Sequence, residues 1–147
     1  QRSDIIVIDT AAGLTPEIIR YGEEADSVLV VTTPEPTAVM DAYAMVKVLG
    51  ASAPGHEAAL VVNAVRSVRE GEETASKLQA AVRHFLGREL PCAAIIPRDD
   101  HVGEAIRRQE ALVQAYPRSA AALSLQSLAH ALLHEHVQGS IVRTVAL

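Results

Sequence analysis

With 147 residues, 49% of them apolar, and a net charge of −5, the chain has room for one domain with a substantial core, not comfortably for two. The acidic balance argues against a nucleic-acid binder held by bulk electrostatics. The single cysteine, Cys92, excludes an internal disulfide framework or thiolate metal cluster, and no apolar run reaches the roughly 18 residues of a membrane span.

The chain opens at Gln1 without a methionine and runs almost at once into the apolar stretch 5–8, a poor natural beginning that leads one to expect a preceding segment. That stretch and those at 28–31, 60–62 and 93–96 are nearly continuous rather than alternating and rich in β-branched residues, as strands buried on both faces read. Helical patterns lie between them. The first follows Thr15-Pro16-Glu17, with Thr as N-cap, Pro at the first helical position and Glu complementing the dipole. A second begins near Thr37, puts Val39, Ala42, Val46 and Leu49 on one face and stops at Gly50. A third starts around Gly71, carries Ala75, Leu78, Val82, Phe85 and Leu86 on a stripe and stops at Gly87. A short helix is predicted over 102–109. After Pro117, Ser119 caps a last helix through about Val137, with Leu125, Leu128 and Leu132 facing inward.

This strand–helix alternation predicts an α/β fold with a parallel sheet flanked by helices, built from right-handed crossovers. Ligands of such sheets bind outside the carboxyl ends of the strands, so the residues just after each apolar run carry the functional information. They are Asp9 with Gly13, then Thr32-Thr33-Pro34-Glu35, then Asn63, then Pro97, Arg98, Asp99 and Asp100. An Asp ending a buried strand is the usual support for Mg²⁺ beside a nucleotide's phosphates. Gly13 offers a backbone N–H to a terminal phosphate with no side chain in the way. The amide of Asn63 both donates and accepts and so can read a base edge, while 97–99 can wall the base and reach its sugar. Against these stand plainer roles: Asp9 as a turn cap, Asn63 as a satisfier of turn backbone, Glu35 and Asp41 as acids favoured by a helix dipole, and Asp99 or, in preference, Asp100 as an N-cap.

The stretch Asp-Ile-Ile-Val-Ile-Asp-Thr-Ala-Ala-Gly-Leu at 4–14 resembles the Walker B strand and switch II of the MinD/ParA group of P-loop ATPases. Val30-Val31-Thr32-Thr33-Pro34-Glu35-Pro36-Thr37-Ala38, Asp41-Ala42-Tyr43, Val61-Val62-Asn63 and Ile96-Pro97-Arg98-Asp99 continue it in order. The last is similar to the nucleotide loop of nitrogenase iron protein. Within the group, the Thr-Thr-Pro-Glu-Pro-Thr-Ala stretch and Val-Asn-Ala-Val-Arg-Ser at 62–67 most resemble the FlhG branch of flagellar-number regulators. The resemblance covers nearly the whole chain. It implies that Asp9 supports Mg²⁺, that Gly13 lies near the γ-phosphate, that Asn63 reads adenine, and that Pro97, Arg98 and Asp99 hold base and ribose. It further implies that Glu35 and Asp41 lie near a dimer interface, and that ATP/ADP acts as a switch for dimerisation and spatial regulation of flagellar or division type. Implied partners are a second copy and another protein, at the inner membrane face or in the cytoplasm.

One departure matters. The group's Walker A loop, Lys-Gly-Gly-x-x-Lys-[Ser/Thr], belongs before residue 1 and nothing in the chain replaces it. Gly50 and Gly55 have its glycine spacing, yet His56-Glu57 follow where Lys and Ser/Thr are required. The chain is thus expected to be the C-terminal part of one ATPase domain, without turnover of its own. The alternative is a nucleotide-free interaction module that keeps the fold. His130 and His134 share a helix face near His136, but no acid apart from adjacent Glu135 and no cysteine completes a metal set there. The apolar tail 141–147 suggests, through the resemblance, a remnant of a membrane-targeting segment, against which stands its being short for a stable amphipathic helix.

Overall fold

The structure, a computed structural model, describes residues 5–136 and 142–146, the side chains of 134–136 and 142–146 excepted. In chain order its elements are β1 (Ile5–Asp9), α1 (Pro16–Glu24), β2 (Ser27–Thr32), α2 (Pro36–Ser52), β3 (Glu57–Val65), α3 (Val68–Leu86), β4 (Cys92–Pro97), α4 (Asp100–Arg108), α5 (Leu112–Ala115), α6 (Ala120–His136) and β5 (Val142–Ala146). The five strands form one parallel sheet in the order β1-β5-β2-β3-β4. The predicted parallel α/β architecture is therefore the observed one.

Alternation along the central strands divides the core. Val28, Val30, Leu60 and Val62 point to the side covered by α1, α2 and α3, where Ile18, Met45, Leu49, Leu78 and Val82 meet them. Leu29 and Val61 point the other way, to Ala121 and Leu128 of α6. Each fully buried side chain of this kind stabilises the fold by about 1.5–3 kcal/mol. The central residues of β2 and β3 are thus buried on both faces, as their apolar runs predict, while Val31 near the end of β2 is exposed. β1 is not: it forms an edge, and Ile5, Ile6 and Val7 are exposed, Val7 by 67%.

Several helix ends differ from the sequence reading. Thr15 does cap α1, its Oγ1 accepting from the Ile18 N–H at 3.4 Å, with Pro16 at the first position. α2, however, runs through Gly50 to Ser52. Gly50 lies beneath Arg88, whose Nη1 would sit 2.5 Å from an added Cβ, so glycine serves close approach there and not helix termination. Likewise α3 starts at Val68, not Gly71. Ser67 accepts from the Glu70 N–H, Glu70 accepts in return from the Arg66 N–H at 2.6 Å, and Gly71 lets the helix approach Ile95 and Val65. Phe85 lies exposed, edge-on to His84, instead of in the core stripe. The last helix has nearly its predicted span, and the tail, for which no element is predicted, forms a strand at 142–146; Val142, Thr144 and Val145 are β-branched and favour that conformation. Residues 141 and 147 of that tail lie outside the described residues.

Candidate functional site

Because the strands are parallel, the carboxyl ends of β1, β2, β3 and β4 lie on one edge, which brings the predicted site residues to a single rim. They gather there as two groups. The first surrounds the loop after β1. Asp9 ends that strand and is exposed. Gly13 adopts a φ of +119°, a conformation that L side chains rarely take, and an added Cβ would meet nothing within 4 Å. Glycine is required there by conformation, and the space above it is free. A cavity of about 420 Å³ opens beside it, lined by Gly13 and Leu14, by Val30 and Val31 of β2, and by Asp41 and Met45 of α2. Gly13 and Asp41, 28 positions apart in sequence, thus share one cavity. Glu35 N-caps α2 through its backbone alone, its carboxylate making no cap hydrogen bond.

The second group joins the ends of β3 and β4. β3 continues past Asn63 to Val65, and its register with β4 shifts between Val62 and Val65. Asn63 and Ala64 form this bulge: Ala64 has a φ of +56°, and its N–H donates to Asn63 Oδ1 at 2.8 Å. Just beyond it, the Arg98 N–H donates to the Val65 carbonyl at 2.8 Å, which fixes Pro97 and Arg98 against the asparagine's strand. Asn63, Pro97, Arg98 and Asp99 are therefore neighbours at the rim.

Asp99 has a role beyond the loop. Its side chain, 7% exposed, accepts from the His101 N–H at 3.0 Å as the N-cap of α4, from His101 Nδ1 at 2.8 Å, and from the Ala121 N–H at 3.0 Å in the first turn of α6. Of the two N-cap candidates the role belongs to Asp99, not to the preferred Asp100, which is the first residue of the helix. The Ala121 N–H, with help from His101 and against the effect of burial, holds the Asp99 carboxyl well below the usual carboxylate range. One carboxylate therefore ties two helix N-termini to the rim loop.

Beside it lies a cluster that sequence reading missed. The Tyr116 hydroxyl donates to Glu104 at 2.6 Å, its ring packs 4.5 Å from that of His101, and the Arg108 guanidinium sits 5.4 Å over it. The hydrogen bond from Tyr116 lowers the Glu104 carboxyl, and Glu104 in turn raises the phenol. No local pattern marks the pair, because 12 positions separate its members.

The two groups do not converge on one atom. Asp9 is level with Leu29 and so with Ala59 through the strand register, whereas Asn63 lies four residues further along β3 and three strands across. Strand spacings of about 4.8 Å and a rise of about 3.3 Å per residue put their backbones roughly 15–20 Å apart, comparable to an extended nucleoside triphosphate. Chemically, the first group offers the carboxylate of Asp9, an oxygen donor suited to a hard divalent cation, and the second offers amide and loop groups suited to a base. Arg98 brings a cationic side chain to the rim, and Arg108 lies beside it over Tyr116. Larger space at the opposite sheet edge is built differently: a cavity of about 490 Å³ surrounds Arg88, whose Nη2 donates to the Pro54 and His56 carbonyls. Cys92 is half-buried, and burial pushes its thiol up, away from reactivity. His130 is exposed, and the side chains of His134 and His136 lie outside the described residues.

No protein-family model matches the chain. Sequence comparison aligns 126 of its residues at 34% identity with the antiactivator FleN of Pseudomonas aeruginosa, covering 86% of this chain and 45% of FleN. A second relative, the flagellum site-determining protein YlxH of Helicobacter pylori, is 29% identical over 139 residues, 94% of this chain and 47% of YlxH. The chain is homologous to FleN and YlxH. Among solved structures, the cell division ATPase MinD of Pyrococcus furiosus superposes with a TM-score of 0.59 at 23% identity, over 75% of this chain and 43% of MinD, and shares its fold. The chain spans about half the length of the FleN and YlxH relatives it matches.

Proposed function

We propose that the chain carries the metal-supporting and switch residues of an ATP site whose phosphate-holding loop belongs to another part of the intact protein. The observation that carries this reading is the rim itself: Asp9 at a strand end, the positive-φ Gly13 sharing one cavity with Asp41, and Asn63 and Arg98 a nucleotide's length from Asp9 on the same edge. Homology to a flagellum site-determining protein and the fold of a cell division ATPase support it. In this reading Asp9 supports Mg²⁺, Gly13 presents its backbone to the terminal phosphate, and Asn63, Pro97 and Arg98 hold adenine and ribose. Asp99 acts chiefly by fixing the loop, since its carboxylate already accepts three hydrogen bonds. Mg²⁺, when bound, would supply positive charge beside Asp9. Glu35 and Asp41, both exposed, flank the face through which two copies meet.

The proposed activity is a nucleotide-controlled switch. ATP favours a dimer that engages a protein partner in the cytoplasm or at the inner membrane face, and ADP releases it, so that placement or number of a cell structure is regulated. Size analysis of the intact protein tests this directly. Mg-ATP is expected to shift it to a dimer and raise its Tm, whereas ADP leaves it monomeric. A nucleotide-free interaction module predicts no ATP-induced change in size or Tm, and that result would overturn the proposal.

A further inference from the structure

α4 and α5 follow directly on the loop at 97–99, yet little core holds them. Of α4 only Ala105 is buried, and none of the four residues of α5 is. Elements with so little apolar burial open easily unless polar contacts fix them. The contacts that fix these two meet at Tyr116. Its backbone is held on both sides: the N–H donates to the Leu112 carbonyl at 2.8 Å, and the carbonyl accepts from the Ser119 N–H at 3.0 Å. Its side chain reaches back to α4, where the hydroxyl donates to Glu104 at 2.6 Å. The ring lies under the Arg108 guanidinium and 4.5 Å from the His101 ring, tilted by 48°. His101 in turn meets Asp99 through Nδ1 at 2.8 Å. A carboxylate can only accept, so Nδ1 carries the proton and the orientation of the imidazole is set. A line of contacts thus runs from Glu104 and Arg108 through two rings to the side chain that closes the rim loop onto α6. A clasp for α4 and α5 alone would need no such link.

We propose that Tyr116 is a positioning residue for the base end of the nucleotide site. Its ring keeps His101 turned toward Asp99 and so holds the loop 97–99 in the arrangement that receives base and ribose. Without the ring the loop samples other arrangements, and nucleotide affinity falls with the fraction left in the competent one. The phosphate end is out of reach of this line, because Asp9 and Gly13 follow β1 and the loop follows β4, the two outermost strands of the described sheet. This role rests on the reading that Pro97 and Arg98 hold adenine and ribose.

Steady-state kinetics of the intact protein test it. Tyr116→Leu removes both the ring stack and the hydroxyl, and should raise the KM for Mg-ATP about 10-fold while kcat stays within about twofold. Tyr116→Phe keeps the ring against His101 and should hold KM within about threefold of the unaltered value. Inorganic tripolyphosphate, which has neither base nor ribose, should inhibit both variants and the unaltered protein alike. A role in stability alone would lower the Tm and the active fraction, which is read as kcat, and leave KM in place. Unchanged KM in Tyr116→Leu, a loss confined to kcat, or an equal weakening of tripolyphosphate overturns the positioning role while the nucleotide reading stands. An unaltered protein that neither binds nor hydrolyses ATP overturns both.

Discussion

Gly13→Ala separates conformation from contact at the heart of the rim. At a φ of +119° an alanine is strained whatever the space, and here the space is open, with nothing within 4 Å of an added Cβ. The cost to the fold is therefore backbone strain alone, about 1–3 kcal/mol, which lowers the Tm of a domain this size by roughly 3–10 °C. Gly87→Ala is the matched control: it too has a positive φ, +61°, and nothing within 4 Å, but it ends α3 far from the rim. Its cost is about 1–2 kcal/mol. Thermal melts of both variants should show similar losses. Turnover by the intact protein should differ. If a terminal phosphate rests against the backbone of residue 13, the added methyl displaces it and removes a charge-stabilising donor, a loss of about 100-fold or more. Gly87→Ala should retain turnover near that of the unaltered protein at temperatures where both are folded. Equal turnover in the two variants would show that Gly13 is needed for its turn and for nothing else.

Two further variants probe the frame around the site. Asp99→Asn should lower the Tm by about 5 °C through weakened caps on α4 and α6. It should also flatten the acid limb of stability. The folded carboxyl lies below its unfolded value, so its contribution is complete above pH about 4 and vanishes as the pH falls through the folded value. Melts between pH 2 and 7, on the scale of those reference values, should show the unaltered chain losing stability more steeply in acid than the variant (about pH 4 and below); parallel curves would remove Asp99 from its bridging role. Gly71→Ala forces a Cβ into Ile95 and is expected to cost about 1–3 kcal/mol by overpacking, read from denaturant midpoints. An unchanged midpoint would mean that α3 is free to shift on the sheet.

The sheet was legible because its central strands are apolar on both faces, and only a covered parallel sheet uses such runs. Parallel strands then fix the rim, which is why Asp9, Gly13, Asn63 and Arg98 could be assigned to one edge from spacing alone. What escaped depends on distant partners. Gly50 reads as a helix stop until Arg88 is seen to lie over it, 38 positions away. The double duty of Asp99 needs Ala121, and the bulge at Asn63 needs the register of β4. The strand at 142–146 was not legible because its pairing partners start at residue 5. By contrast, the start of α3 was available locally in Ser67-x-x-Glu70, a capping-box spacing outweighed by the glycine at 71.

Turnover of ATP by the intact protein carrying Asp9→Ala is the most direct test of the whole reading. With the strand-end acid gone, hydrolysis should fall to background and ATP should no longer drive dimer formation, while the Tm without nucleotide stays close to that of the unaltered protein, because Asp9 is exposed. Unchanged hydrolysis and dimerisation would mean that this rim does not hold the metal-bound nucleotide.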